Sequence, residues 1–161
     1  MSYMFYDCTS LEGISLSSFN TNHVTNMSYI FNGCSSLKEI KGINNFNTIN
    51  VTIMGGMFQE CNELEYLDLS NFNTMNVIDM GWMFNNCSKL TSLSLSNFNT
   101  NNVTDMSDMF CNCSSLTSLN LSNFITNNVT NMSDMFYGIN NNCLIISKDS
   151  NILSIVCRLK K

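Results

Sequence analysis

Asn102-Val103-Thr104-Asp105-Met106-Ser107-Asp108-Met109-Phe110-Cys111-Asn112-Cys113-Ser114-Ser115-Leu116-Thr117-Ser118-Leu119-Asn120-Leu121-Ser122-Asn123-Phe124 is one full turn of a phrase that recurs along the chain. The Phe that closes its Met-x-x-Met-Phe unit falls at Phe5, Phe31, Phe58, Phe84, Phe110 and Phe136. Every step is about 26 residues, and a fixed period of that size is the signature of a solenoid. In such a chain no single turn buries its own apolar face, so stability comes from stacking neighbours.

Within each unit two periods succeed one another. Leu64, Leu67 and Leu69 follow L-x-x-L-x-L, as do Leu90, Leu93, Leu95 and Leu116, Leu119, Leu121. The alternation around Asp68 predicts a short strand with leucines pointing inward. A polar turn follows, with one buried Phe (Phe72, Phe98 or Phe124). Val77, Met80, Met83, Phe84 and Cys87 are then spaced by three, three, one and three, a helical period. Asn76 with Asp79, and Asn102 with Asp105, read as N-caps followed by a first-turn acid. At the equivalent position the first unit carries His23, the chain's single histidine. The expected fold is therefore an α/β solenoid, a leucine-rich repeat with a parallel sheet on one side and short α- or 3₁₀-helices on the other. Its repeats occupy residues 1–138, and residues 139–161 form a C-terminal cap. The second unit holds one extra residue near Lys41-Gly42, where a bulge or loosened turn is expected. Residues 1–8 match the middle of a unit, so the chain is read as a piece of a longer protein.

These residues resemble the BspA-like leucine-rich repeat surface proteins, whose units carry a Phe-x-x-Cys-x-x-Leu-x-x-Leu-x-Leu core with an Asn-Val-Thr-x-Met-x-x-Met-Phe limb. The resemblance spans residues 1 to 138. Ordinary leucine-rich repeats place Asn where this chain has Phe72, Phe98 and Phe124, so their buried asparagine ladder is not expected at that position. The resemblance implies display on a cell surface or outside the cell, and adhesion to a host or matrix protein, to other cells, or within a surface layer.

Composition narrows the function further. The net charge is −5, and the basic cluster is confined to Arg158, Lys160 and Lys161, so a nucleic-acid partner is not expected. No apolar stretch reaches the roughly 18 residues of a membrane span. The periodic methionines read as core filler, suited to irregular gaps. Cys8, Cys34, Cys61, Cys87 and Cys113 hold one repeat position and read as a column of small buried side chains, with no metal site. Cys143 and Cys157 lie outside that column and are candidates for a disulfide under oxidising conditions, and Cys111 is the expected exposed thiol. Asp79, Asp105, Asp108 and Asp134 should gather on the helical side as a solvated acidic face. His23 has no orienting acid in its motif, so no catalytic set can be assembled and no cofactor is expected.

What varies between units is the outward face of the strands. One column reads Gly13, Glu39, Tyr66, Ser92, Ser118, and the next Ser15, Lys41, Asp68, Ser94, Asn120. Variation on a rigid scaffold is how a solenoid encodes a binding face. Glu39, Lys41, Tyr66 and Asp68 form its most distinctive patch, and Trp82 on the other limb is a second candidate anchor. The expected function is a non-catalytic binding module that takes a protein or glycan ligand. The alternative is a structural protein that self-associates by stacking of its repeats.

Overall fold

A computed structural model describes residues 1–159; Lys160 and Lys161, part of the terminal basic cluster, lie outside the described residues. The chain winds into a solenoid whose core runs the length of the stack. Among the described residues, six short strands each turn one Ile or Leu onto the core: β1 (Gly13–Ser15), β2 (Glu39–Lys41), β3 (Tyr66–Leu67), β4 (Ser92–Leu93), β5 (Ser118–Asn120) and β6 (Leu144–Ile146). They pair in parallel as β1–β2, β3–β4 and β5–β6, in register Ile14↔Ile40, Leu67↔Leu93 and Leu119↔Ile145. The expected parallel sheet is thus divided into three two-stranded pieces. β4 and β5 still lie side by side, whereas β2 and β3 stand apart.

The limb predicted to be helical is a run of turns. Its three-residue spacing comes from successive i→i+3 bonds, such as Met57 N–H to Met54 O and Cys61 N–H to Phe58 O. They cannot merge into a helix because two positions of every unit have left-handed backbone. Two residues before the Phe, φ is 59° at Tyr3, 55° at Tyr29, 62° at Gly56, 55° at Trp82, 55° at Asp108 and 52° at Asp134. Two residues after it stand Asp7, Gly33, Glu60, Asn86, Asn112 and Gly138, all likewise positive. Each such residue reverses the chain and frees backbone groups for the neighbouring coil. Phe58 N–H donates to Met83 O, Phe84 N–H to Met109 O and Phe110 N–H to Met135 O, each at 3.0 Å.

The asparagines read as helix caps therefore have no helix to cap. Asn76 Nδ2 donates to Ile49 O and Asn102 Nδ2 to Met75 O, each at 2.8 Å, so they tie each coil to the one before. His23 holds the equivalent position in the first coil. Threonines at 1% exposure make a second, buried ladder: Thr48 Oγ1 donates to Asn73 O at 2.9 Å while accepting from Asn73 N–H at 2.7 Å.

Between these ladders lies the core. Phe31, Phe58, Phe84, Phe110 and Phe136 stack at centroid distances of 5.7 or 5.8 Å with interplanar angles of 9° or less. Phe46, Phe72, Phe98 and Phe124 are buried in the turn after each strand. The cysteine column is also buried from Cys34 to Cys113, and its thiols are donors: Cys61 Sγ reaches Phe31 O at 3.2 Å and Cys87 Sγ reaches Phe58 O at 3.1 Å. Cys111, expected to be exposed, is buried beneath Asp108, and the exposed thiols are Cys8 and Cys157.

At the C-terminal end β6 is followed by α1 (Ser150–Leu159), which lays Ile152 and Val156 on the core. Asp149 joins the two. Its carboxylate accepts from Thr126 N–H at 2.9 Å and Thr126 Oγ1 at 2.8 Å, standing in for the next coil's backbone, and from Ile152 N–H at 3.1 Å as the cap of α1.

Candidate functional site

The extra residue of the second unit sets the site. Gly42 takes φ 77°, and a Cβ there would press against the backbone of Ser17 at 2.8 Å, so glycine is required. The chain then makes a single 3₁₀ turn at Ile43–Asn45 in place of the regular strand exit. That turn separates β2 from β3. Lys38 N–H bonds Glu12 O at 2.9 Å and Thr91 N–H bonds Glu65 O at 3.1 Å. Among the described residues, the intervening bond from Glu65 to Lys38 is not formed.

The separation opens a cavity of about 420 Å³ on the sheet face. Its floor is Ile40, Ile43 and Leu67, and its polar rim includes Glu39, Glu65, Tyr66 and Asp68. This volume falls within the range of small-ligand pockets. Tyr66 is 65% exposed, so its ring stands free at the rim. Asp68 accepts from Ser70 N–H at 3.0 Å and faces Asn44 Nδ2 at 3.5 Å. Hydrogen bonding from Ser70, its side chain first, holds the Asp68 carboxyl below its ordinary value, so it is an anion at neutral pH.

Of the residues singled out from sequence, Glu39, Tyr66 and Asp68 share this cavity. Lys41 does not line it. It pairs with Glu39 at 3.4 Å and walls an adjoining shallow groove of about 250 Å³ with Gly13, Ile14 and Ser15. Both partners of that pair are mostly exposed, so the pair adds little stability. Trp82 is in neither wall and lies on the turn limb. Sequence reading missed Asn44, Ile43 and Glu65. The first two belong to the stretch displaced by the inserted residue, and that displacement was their signal.

The chain matches the family described as "Mycoplasma protein of unknown function, DUF285" over residues 1–94 and again over 57–148. It belongs to that family. The two overlapping matches follow from the repeat, since one profile fits the stack in two registers. Among solved structures, a crystal structure of a leucine-rich repeat protein of T. pallidum is similar, with a TM-score of 0.51 and 19% identity. The similarity covers 99% of this chain and 74% of that one, and it shows the fold: this DUF285 chain is a leucine-rich repeat solenoid. No curated protein sequence matches it. No helix among the described residues is long and apolar enough to cross a membrane.

Proposed function

We propose that this DUF285 chain is a non-catalytic binding module that takes a protein or glycan ligand on its sheet face, at the cavity where β2 and β3 part. The observation that carries the reading is the coincidence of two irregularities. Of the two breaks in the ladder, the one that opens a cavity is where Glu39, Tyr66 and Asp68 depart from the small polar residues of the later coils. An exposed tyrosine beside the ionised Asp68 suits polar ligands such as a sugar or a peptide side chain. The sequence resemblance to BspA-like proteins supports display on a cell surface and a host or matrix ligand. The fold lends itself to recognition, although fold alone does not assign a function.

The test exchanges Glu39 and Tyr66 for the serine that later coils carry, as E39S/Y66S. Both positions are exposed, so the melting temperature should hold. Binding to immobilised matrix proteins and a glycan array should fall about tenfold or more for any ligand the wild type retains. Equal retention by wild type and variant rejects the site.

A second reading, self-association by stacking, has its own observation. Met1, Phe5, Leu11, Ile14 and Val24 are only partly covered at the N-terminal end, while their counterparts Met27, Phe31, Leu37, Ile40 and Val51 are buried. Whatever coil stands beside these side chains completes their burial, and a coil of a second copy could do so. Light scattering over a concentration series discriminates the two readings, since a constant monomer mass counts against stacking.

A further inference from the structure

The turn limb differs in chemistry from the rest of the surface. Its six passes carry Asp7, Glu60, Asp79, Asp105, Asp108 and Asp134 but no Lys or Arg. The ion pairs Lys38–Glu12, Lys41–Glu39 and Lys89–Glu63 all lie elsewhere. The limb also holds Trp82 and every tyrosine except Tyr66.

The left-handed column two residues before the Phe organises these groups. It reads Tyr3, Tyr29, Gly56, Trp82, Asp108, Asp134. Left-handed backbone suits Gly, Asn and Asp, and is uncommon for large aromatic residues, yet three of the six positions hold one. Tyr3 and Tyr29 stack at 5.1 Å with an interplanar angle of 20°. The Tyr29 ring lies across Gly56, filling the place its side chain would take. The column thus passes from a flat aromatic surface, through Trp82, to a pair of carboxylates on adjacent coils. Burial, and then the neighbouring Asp134, push the Asp108 carboxyl above its ordinary value, as expected for like charges without a counter-ion.

We propose that this column is a docking surface for an extended polypeptide segment bearing Lys or Arg side chains. Aromatic faces attract such cations through the ring quadrupole, and the carboxylates one coil further on complement their charge. The spacing agrees with this occupant. Core rings on the same limb repeat every 5.5 to 5.8 Å. Same-side residues of an extended chain repeat every ~6.8 Å, about 1 Å more than the coils, so a short segment with two or three such residues stays in step with the column.

Trp82 is the only tryptophan and lies in the column, so its fluorescence reports occupancy. The purified chain is titrated with a synthetic peptide of alternating Arg and Ser, with Gln/Ser and Glu/Ser peptides and a neutral oligosaccharide as comparisons. The Arg peptide should change Trp82 emission, and its binding should weaken as salt rises. D108N/D134N should weaken it about tenfold. That variant should keep its fold, because Asn86 and Asn112 already hold asparagine in left-handed backbone. E12Q/E63Q removes equal charge outside the limb and should leave the affinity unchanged. The proposal is overturned if Trp82 does not respond, if the two double variants weaken binding equally, or if the neutral peptide or oligosaccharide binds as tightly as the Arg peptide. None of these outcomes bears on the sheet-face cavity, whose residues are untouched.

Discussion

Gly56 shows how much a single position can decide in a stacked chain. Its φ of 62° excludes a comfortable Cβ, and any Cβ there would overlap the Tyr29 ring. Gly56→Ala should therefore destabilise the protein by roughly 2–3 kcal/mol, combining backbone and packing costs. A lowered urea midpoint at unchanged slope would show it. Gly13→Ala is the contrast, because its Cβ would sit 3.7 Å from Glu39 O in ordinary contact, and the midpoint should hold. A Gly56→Ala midpoint matching that of Gly13→Ala would contradict this account. At this scale the sequence was partly legible. Asp108, Asp134, Gly33, Asn86 and Asn112 are residue types that tolerate left-handed backbone, and they recur in two fixed columns. Tyr29 and Trp82 depart from that pattern, and the spacing of Val77, Met80, Met83, Phe84 and Cys87 beside it is also that of a helix. A three-residue spacing is common to a string of β-turns and a helix, and periodicity alone does not separate them.

The elements owe their form to what each must satisfy in its neighbour. Strands of two or three residues suffice because side-chain ladders share the work of joining coils. The thermal stability of the last coil rests in the same way on Asp149. Burial works against its ionisation, but hydrogen bonds from Thr126, Ile152 and Asn151 outweigh it and hold the carboxyl below its ordinary value. A depressed folded value means that this contribution is fully present above the ordinary carboxylate range and is lost as pH falls through the folded value. Asp149→Asn should cost about 1–2 kcal/mol at neutral pH and lose less stability than wild type on acidification below about pH 4. Melting curves across that range test it, and parallel curves for the two proteins would refute it. The strands were legible from L-x-x-L-x-L, and the disruption near Gly42 from one extra residue. Where that residue would act was not. Whether an insertion bulges one strand or separates two depends on which contacts across the coils give way, and these are absent from local sequence.

Across the whole molecule the buried thiols form one connected system. Burial raises Cys34 from 9.0 to about 11, and Cys61, Cys87 and Cys113 are also raised, chiefly by burial. A raised folded value means that their contribution is fully present below the unfolded value and is lost as pH climbs through the folded one. The chain should therefore lose stability steeply from pH 9.0 to about 11. Circular-dichroism melts of wild type and Cys61→Ala/Cys87→Ala would show a shallower slope in the variant if the thiols are responsible. The direction of the limb's bonds has a separate consequence. Tyr3, Phe5 and Asp7 donate forward to Ser28, Ile30 and Asn32, and the Phe-centred bonds of later coils run the same way. Their peptide dipoles, about 3.5 D each, therefore add along the stack axis as they do along a helix. The limb is electrically polar, with its negative side toward lower residue numbers, so whatever coil adjoins the ladder on that side meets it with its N–H groups leading.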